Sequence, residues 1–424
     1  MGGRANPSVV EEKKKYMTVI RERFVVSHPT GNTFVRALLN QLNAQNQLEK
    51  FFTTIGVGEG ANSLISAFSG EKRQYAIPDT KISRQWVPEV IRLLSKGNQE
   101  KKRRKVDLSY HALDHKVSHL LSSHSSQILH AYEDDCSNSF ARAKQLGMQC
   151  SYELPIAHWA TVRRLLAEEA ERYPEWEPTL ESTREPEEKL FRKEEELRLA
   201  DRITCPSQFV LDSIPLEIRQ KTLCQISPFG SPPCEPVDFE RSQKNDTLKL
   251  LFVGSMSQRK GLADLFEAMK LLKGEPISLS ILGQPSMPME FYRKQFAAFE
   301  YFTPCSNHKV REIMKAHDTL ALPSIVEGRA LVQQEALSCG LPIIVTPNAG
   351  GEDLVEEGIT GHLVPIRSPE KIAEAIRAMI ENINLKEEIQ KLCQKKATQY
   401  TWANYAQNII DFNLSNHAQR LEIA

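Results

Sequence analysis

The chain has 424 residues, with 54 basic and 54 acidic side chains, 41% hydrophobic residues and 25% charged residues. These proportions are typical of globular proteins and exclude collagen, coiled-coil and disulfide-rich scaffolds. At roughly 150 residues per domain, the length predicts two or three domains. No stretch reaches the roughly 18 apolar residues of a membrane-spanning helix, and residues 1–16 lack the apolar core of a signal peptide. We therefore expect a cytoplasmic protein.

The balanced total charge hides a difference between segments. Residues 1–150 hold 22 basic and 14 acidic side chains, an excess of 8 positive charges, whereas residues 151–230 hold 11 and 16, an excess of 5 negative charges. The eight cysteines are scattered without a CxxC pair, which predicts reduced thiols rather than zinc fingers or redox chemistry. A chain of zero net charge can still present a basic surface to an anionic partner.

Short apolar runs alternate with longer amphipathic segments along most of the chain. This alternation is typical of βαβ units and predicts an α/β protein with mostly parallel sheets. Between two sets of such units, residues 228–246 contain four prolines and no apolar periodicity, which predicts a linker between two domains with a ligand-binding cleft. The predicted strands are Phe24–His28, Lys50–Ile55, Gln127–Ala131, Gln149–Leu154, Arg202–Pro206, Cys224–Ser227, Leu248–Val253, Ile277–Leu282, Thr319–Leu322 and Pro342–Val345.

The densest group of motifs lies between Leu320 and Pro365, which reads LALPSIVEGRALVQQEALSCGLPIIVTPNAGGEDLVEEGITGHLVP. A strand ends near its start, and Arg329–Ser338 is predicted to be a helix. Glu327 lies in the turn before this helix, and Glu335 lies two turns along it. Amides at a helix start attract anions such as a nucleotide diphosphate, and Glu335 could accept hydrogen bonds from a ribose diol. The alternative is that both glutamates are ordinary solvated helix residues.

Two other strand ends point to the same chemistry. Residues 250–261 read LLFVGSMSQRKG, in which Lys260 is a compact charge suited to a phosphate. Residues 347–353 read PNAGGED and place a glycine pair after another strand. Because the carboxyl ends of parallel strands meet at one edge of a sheet, we expect these segments to converge.

In order and spacing, these motifs resemble the nucleotide-binding half of family 4 glycosyltransferases. These are retaining enzymes with the GT-B fold of two facing Rossmann-like domains. The landmarks VGSMSQRKG, ILG, LPSIVEG, EALSCGLPIIVT and GITGHLVP cover nearly all of residues 245–380. The resemblance implies that Glu327 lies at the transferred sugar, that Glu335 holds the ribose and that Lys260 contacts the diphosphate.

The resemblance also implies the division of the chain. It predicts an acceptor-side domain in residues 1–230, a nucleotide-sugar domain in residues 231–400, and a helix in residues 401–424 that crosses back to the first domain. Ser255 stands where many members have arginine, and either Arg259 or Arg329 is a candidate to replace that charge. The residues expected to bind the donor are Gly31, Gly254, Ser255, Arg259, Lys260, Glu327, Gly328, Arg329, Ala330, Leu331 and Glu335.

In the first half, the motifs HAYEDD and YELPIAHW follow two predicted strands. We therefore expect Glu133, Asp134 and Glu153 on the acceptor side of the cleft. Asp134 or Glu133 is a candidate to orient or activate an acceptor hydroxyl, with helix capping as the alternative. Many family members have a histidine that contacts the sugar at about this position, for which His158 is the candidate. Ser207 is expected only to cap the next helix.

Three further features of the first half have competing explanations. The basic run Lys101–Lys105 follows the amphipathic stretch Trp86–Leu94 and predicts contact with anionic lipid headgroups or an acidic acceptor, the alternative being a flexible charged loop. Nucleic-acid binding is not expected, since no aromatic residues interleave the run. The acidic residues 168–196 predict a solvated helix pair, with Trp176 on the acceptor side. The spacing of His111, His115 and His119 places them on one helical face and would suit zinc. We favour the alternative that these histidines are solvated or packed against other residues.

Together, the motifs predict a retaining glycosyltransferase that moves a sugar from a nucleotide diphosphate sugar to a hydroxyl acceptor. UDP-sugars are the favoured donors and GDP-mannose comes next, and the acceptor belongs to a polysaccharide, a glycolipid or a small glycoside. Its basic first half suggests an anionic or lipid-linked acceptor and peripheral contact with a membrane. We expect neither a metal nor a cofactor. A non-catalytic nucleotide-sugar-binding protein and a UDP-sugar epimerase on the same fold remain the alternatives.

Overall fold

The protein is built on two parallel β-sheets, each from a different half of the chain. The predicted α/β class with mostly parallel sheets is confirmed, since every strand pair in both sheets is parallel. The computed structural model describes residues 22–61, 73–95, 99–122, 127–180, 185–234 and 247–415.

The first sheet has seven strands in the order β5-β2-β1-β6-β7-β8-β9. Its interior strand β1 is buried at all four residues, as expected for a parallel sheet covered on both faces. A separate pair, β3 and β4, lies beside it. These strands are β1 Phe24–Ser27, β2 Leu48–Thr53, β3 Val57–Glu59, β4 Gln74–Pro78, β5 Ile82–Arg84, β6 Ile128–Tyr132, β7 Gln149–Glu153, β8 Arg202–Cys205 and β9 Leu223–Ile226.

The second sheet has six strands in the order β12-β11-β10-β13-β14-β15. Strand β10 pairs with β11 in register over its whole length, from Leu248 opposite Ile277 to Val253 opposite Leu282. The strands are β10 Leu248–Val253, β11 Ile277–Leu282, β12 Phe299–Phe302, β13 Thr319–Leu322, β14 Ile343–Val345 and β15 Gly361–Leu363.

Helices cover the faces of both sheets. In chain order the α-helices are α1 Thr33–Ala44, α2 Trp86–Leu94, α3 Gln99–Leu120, α4 Ser137–Gln145, α5 Trp159–Arg172, α6 Glu187–Leu199, α7 Gln208–Ser213, α8 Leu216–Arg219, α9 Leu262–Leu271, α10 Met289–Gln295, α11 Asn307–Lys315, α12 Leu331–Ser338, α13 Pro369–Glu381, α14 Lys386–Ala397 and α15 Trp402–Leu414. Within the described parts of the chain, no helix combines the length and the apolar character needed to cross a bilayer.

Helix α15 lies on the first domain although it follows the second. Its residues Tyr405, Ile409 and Ile410 are buried in the same apolar cluster as Leu38 and Phe24. Residues 228–234, which lead out of the first domain, run beside the segment that returns to it just before helix α15. The predicted linker continues to residue 246, but residues 235–246 lie outside the described structure, as do residues 416–424 of the predicted final segment.

The acidic segment joins the two domains and is more than a solvated helix pair. Trp176 is buried in the core of the second domain, where its ring packs against Phe266, Phe291 and Tyr292. The expectation that Trp176 lines the acceptor side is therefore wrong. The fully buried carboxylate of Glu169 accepts hydrogen bonds across the interface from Gln258 and Arg367.

The basic run Lys101–Lys105 lies in the first turns of helix α3, so the alternative of a flexible loop is wrong. His111, His115 and His119 lie further along the same helix. Within the described ranges, no group of three or more His, Cys, Asp or Glu side chains is arranged to hold a metal ion.

Candidate functional site

Glu327, Lys260 and Arg259 meet at the carboxyl edge of the second sheet. The two cationic residues follow β10 in a short 3₁₀ turn, and Glu327 lies in the loop after β13. Both cations form ion pairs with the same carboxylate oxygen, Oε1 of Glu327. Gly261 ends the turn with a φ of 72°, and a Cβ there would clash with the carbonyl oxygen of Pro323. Glycine is therefore required to bring this turn against the second loop.

The charges of this cluster are strongly coupled. Burial alone would raise the pKa of Glu327, but Lys260 and Arg259 hold it below the ordinary value for glutamate. Burial lowers the pKa of Lys260, against the opposing effect of Glu327. With Glu327 ionised and both partners protonated, the cluster keeps one positive charge in excess. A diphosphate that bound here would therefore find two cations already in place. Each could exchange its ion pair with Glu327 for one with a diphosphate oxygen.

Gly254 and Ser255 lie beside the cluster at the end of β10. The aliphatic part of the Lys260 side chain runs along Gly254. The hydroxyl of Ser255 is 3.2 Å from the hydroxyl of Ser257. Both residues therefore lie where the motif predicted them, next to the cations.

The loop between β13 and helix α12 differs from its prediction. The helix begins at Leu331 rather than at Arg329, with Ala330 as its N-terminal cap residue. The amide of Glu327 donates to Asn348 and the amide of Ala330 donates to Ala349, at 3.0 and 3.1 Å. The Ala330 amide, which we expected to be available to a phosphate, is thus already used. This pairing fixes the loop against residues 347–349, the third predicted strand end.

Arg329 does not supply the missing positive charge. Its guanidinium is buried and makes two hydrogen bonds with Asp353, of 2.6 and 3.1 Å. A further hydrogen bond of 3.0 Å reaches the carbonyl of Gly350, and the ring of Tyr400 covers the group at 5.0 Å. A fully paired guanidinium stabilises the loop but has little left to offer a ligand. Arg259, the other candidate, is the one that lies at Glu327.

Leu331 and Glu335 lie on the first two turns of helix α12. Burial raises the pKa of Glu335, and the nearby Arg311 opposes this effect. Leu331 packs against the core cluster of the first domain that also contains Phe34 and Tyr132. The helix that carries the predicted ribose ligand is thus held between the two domains.

The two domains touch at Gly328. A Cβ on Gly328 would clash with the carbonyl oxygen of Pro155 in the first domain. The hydroxyl of Ser207, also in the first domain, donates a 2.6 Å hydrogen bond to the carbonyl of Gly328. Ser207 caps helix α7 as expected, but its bridge to the second domain was missed, since nothing in the local sequence indicates a partner 121 residues away.

Gly31 follows β1, as predicted. Its carbonyl accepts a 2.9 Å hydrogen bond from Arg36 on helix α1. The neighbouring His28 is fully buried, and burial lowers its pKa to about 3. His28 is therefore neutral at physiological pH and packs edge-on against Tyr132, 4.6 Å away.

His158 is held by its own domain. Its ring caps helix α5, and Nε2 lies 2.8 Å from the carboxylate of Glu194. The indole of Trp159 donates to the same oxygen, at 2.9 Å. Burial lowers the pKa of His158, against the effect of Glu194. These contacts give the residue a structural role and do not join it to the cluster around Glu327.

Glu133 and Asp134 follow β6 and face two lysines that the motif analysis missed. Lys189 lies 3.1 Å from Asp134, and Lys193 lies 3.7 Å from Glu133. Burial raises the pKa of Glu133 to about 7, with Lys193 opposing the shift. The two lysines are four residues apart on helix α6, a spacing that could have indicated one charged helix face.

Glu153 does not lie in the cleft. Its carboxylate is 1% exposed and accepts hydrogen bonds from the hydroxyl of Tyr405, at 2.7 and 2.8 Å. His130 lies 3.5 Å from the same carboxylate. The expected acceptor-side residue is instead buried beneath helix α15.

Part of the chain is similar to known glycosyltransferases. Residues 235–397 match the family model Glycosyl transferases group 1. An uncharacterized glycosyltransferase of Methanocaldococcus jannaschii is 24% identical over 192 residues, which are 42% of this chain and 48% of the relative. The chain spans less than half the length of the curated relatives that it matches. The glycosyl transferase match thus covers the second domain, which carries Glu327 and Lys260.

Solved structures extend the likeness to the whole fold. Sucrose-phosphate synthase from Thermosynechococcus elongatus superposes with a TM-score of 0.61 at 16% identity, covering 95% of this chain and all of that chain. An E. coli trehalose-6-phosphate structure bound with UDP-2-fluoro glucose gives 0.60 at 12% identity, with coverages of 93% and 100%. The predicted GT-B arrangement of two Rossmann-like domains is therefore confirmed.

Proposed function

We propose that this protein is a glycosyltransferase that moves a sugar from a nucleotide diphosphate sugar to a hydroxyl acceptor. The observation that carries the proposal is the cluster of Glu327 with Lys260 and Arg259, placed where two parallel strands end. The family match over residues 235–397 supports it. As in the sequence prediction, we assign the enzyme to family 4 with a retaining mechanism.

The proposed mechanism depends on stabilising the negative charge of the leaving diphosphate. When the bond between the sugar and the diphosphate breaks, negative charge builds up on the diphosphate oxygens. Lys260 and Arg259 would then exchange part of their pairing with Glu327 for these oxygens, which stabilises the leaving group more as the charge grows. Glu327, once partly released, would accept hydrogen bonds from the sugar hydroxyls and orient the ring. In this scheme the two side chains supply the positive charge, and no metal is required.

The identity of the donor and the residues on the acceptor side are proposed from different observations. UDP-sugars are the favoured donors and GDP-mannose comes next. A structural neighbour bound with UDP-2-fluoro glucose supports this order. On the acceptor side we retain Glu133, because its carboxyl, with a pKa of about 7, is suited to exchange a proton with a hydroxyl. We also retain its neighbour Asp134 as a candidate to orient that hydroxyl. We leave His158 out because its ring is held by Glu194.

We also propose an anionic or lipid-linked acceptor. The support is the excess of positive charge in residues 1–150 and the basic run Lys101–Lys105 on helix α3. An acceptor attached to a lipid would bring the protein into peripheral contact with a membrane surface.

The alternative of a non-catalytic nucleotide-sugar-binding protein has two observations in its favour. The buried guanidinium of Arg329 is paired with Asp353, and Ser255 stands where many members of the family have an arginine. Binding would then persist without sufficient charge for transfer. The two possibilities differ in whether the sugar is released.

The test is a binding panel followed by turnover. Thermal unfolding with UDP, GDP, ADP and their sugars identifies the donor, because a bound ligand raises the melting temperature. Release of free sugar from that donor is then measured for the wild type, Lys260→Ala and the control Lys273→Ala, an exposed lysine of the same domain. We expect Lys260→Ala to reduce release by about a hundred-fold and the control to leave it unchanged. Tight nucleotide binding without release from any donor would overturn the enzyme proposal.

A further inference from the structure

Helix α2 presents its apolar side to solvent. Its exposed side chains are all large and apolar, and the exposed fractions run from 49% to 79%. At 100° per residue they fall within one arc of the helix surface. These residues, named here the α2 face, are Trp86, Val87, Ile91, Leu93 and Leu94.

The opposite side of the helix is charged and faces inward. Glu89 is 1% exposed and accepts hydrogen bonds from Arg92 at 2.7 Å, from Arg73 at 2.9 Å and from Ser109 at 3.1 Å. A surface helix of a globular protein normally buries its apolar stripe and exposes its charges. Helix α2 is thus held by a buried ion cluster, and the residues that the structure describes leave its apolar face largely uncovered.

Basic residues border this face. Helix α3 packs against α2 and begins with the run Lys101–Lys105, in which Lys101, Lys102 and Arg104 are exposed. Leu108, one turn further along α3, is 63% exposed. Apolar side chains including a tryptophan, next to a basic cluster, match the chemistry of a helix lying in the headgroup region of an anionic bilayer.

We infer that helices α2 and α3 form a docking surface for an anionic lipid membrane. The α2 face enters the boundary between headgroups and acyl chains, and Lys101–Lys105 contacts the lipid phosphates. A second protein chain would bury the apolar residues equally well, but five consecutive basic residues beside them favour an anionic lipid surface.

The position of helix α2 relates the docking surface to the cleft between the domains. Helix α2 follows β5 almost directly, so it starts at the carboxyl edge of the first sheet, where Gly31 also lies. A docked membrane would therefore adjoin the acceptor side of the cleft. This last step rests on the proposed function: it assigns a lipid-linked acceptor that reaches the cleft from the bilayer.

Vesicle flotation tests the docking without any donor or acceptor. The full chain should float with vesicles of phosphatidylcholine and phosphatidylglycerol and stay in solution with phosphatidylcholine alone. The double variant Ile91→Ser, Leu94→Ser should lower the bound fraction about ten-fold or more. The control Leu216→Ser, Leu271→Ser, which changes two leucines that are 62% and 51% exposed elsewhere, should bind like the wild type.

Charge is tested in the same way. Lys101→Glu with Lys102→Glu should abolish flotation with anionic vesicles, whereas Lys273→Glu with Lys294→Glu, two exposed lysines of the second domain, should have little effect. Emission of Trp86 should shift to shorter wavelength on binding, and Trp86→Phe should remove that shift. Absence of flotation, equal binding to neutral vesicles, or equal loss in the control variants would each overturn the proposal. A dimer in light scattering that Ile91→Ser, Leu94→Ser dissociates would also overturn it, since the face would then belong to a second copy.

Failure of the docking and failure of the proposed function give different results. Nucleotide binding, measured by thermal unfolding, should be unchanged in the α2 and α3 variants, which also shows that they are folded. Flotation without sugar release would leave the docking standing and remove the glycosyltransferase.

Discussion

The hydroxyl of Tyr405 lies within 2.8 Å of both carboxylate oxygens of Glu153. Tyr405 belongs to the last helix of the described chain, and Glu153 ends strand β7 of the first domain. Both side chains are 1% exposed. A buried carboxylate at the strand end is thus satisfied by a residue 252 positions away, and the returning helix is anchored by this contact.

Tyr405→Phe should lower the free energy of unfolding. The change removes the hydroxyl and leaves the buried carboxylate without its donor, which costs about 2 kcal/mol. Urea unfolding measures the loss. Tyr400→Phe, which removes a more exposed hydroxyl 3.1 Å from the carbonyl of Asp353, is the matched control and should cost less than half as much. Equal losses in the two variants would contradict an anchoring role for Tyr405.

Glu335→Ala should weaken binding of the nucleoside diphosphate. If Glu335 holds the ribose diol, its removal deletes two hydrogen bonds to a charged acceptor, worth about 2 kcal/mol or about thirty-fold in Kd. Calorimetric titration with UDP and GDP measures the change. Glu381→Ala, an exposed glutamate of the same domain, serves as control. Wild-type affinity of the Glu335 variant for both nucleotides would disprove the ribose assignment.

Gly328→Ala should force the two domains apart at the loop. The new methyl group would overlap the carbonyl oxygen of Pro155, and relief requires the hydrogen bond from Ser207 to break. We expect sugar release to fall about ten-fold or more, with a larger radius of gyration in X-ray scattering. Ser207→Ala removes the hydrogen bond without the clash and should have the milder effect. An unchanged radius and rate in Gly328→Ala would show that this contact is unimportant.

The ionised carboxylate of Glu89 should stabilise the fold in a pH-dependent way, and Glu89→Gln should remove this contribution. Burial alone would raise the pKa of Glu89, but the hydrogen bonds from Arg92 and Arg73 lower it to about 2, from 4.5. A carboxyl with a lowered folded-state pKa stabilises the fold above its unfolded pKa, and this effect is lost as pH falls through the folded value. At neutral pH we expect a contribution of roughly 1–3 kcal/mol.

The measurement compares unfolding free energies at several pH values. The difference between the wild type and Glu89→Gln should be largest near neutral pH and should shrink below about pH 4.5. Glu59→Gln, at an exposed glutamate of the same domain, should show a small difference throughout. A difference that stays constant down to about pH 2.5 would rule out the ion cluster as its cause.

Short runs of mostly apolar residues made part of the fold predictable. Strands β10, β11 and β13 have the predicted boundaries, because the last four residues of each are buried and mostly apolar. Strands β5 and β15 were missed, since each has three residues and lies at an edge of its sheet, where polar residues are tolerated. Strand β12, a four-residue strand at the other edge of the second sheet, was also missed.

The site was predictable to the extent that it depends on strand ends. Glu327 and Lys260 follow parallel neighbours in one sheet, and parallel order alone brings them together. The environment of Arg329 depends instead on Asp353, a loop residue whose partner no spacing rule identifies. Glu153 was misplaced for a similar reason, because its position depends on the docking of helix α15. Contacts made by distant segments leave little local pattern in the sequence.

Two of the places where the chain passes between the domains lie side by side. Residue 231 on the way out donates its amide to the carbonyl of Tyr400 on the way back, at 2.9 Å, and Gly230 lies directly against Trp402. Topologically, most of the second domain is an insertion into the first, joined to it by this hydrogen-bonded pair of segments. The acidic segment is a further connection, because its Trp176 lies in the core of the second domain. Any opening of the cleft therefore has to bend the chain at Ser231 and Tyr400 and also on either side of Trp176.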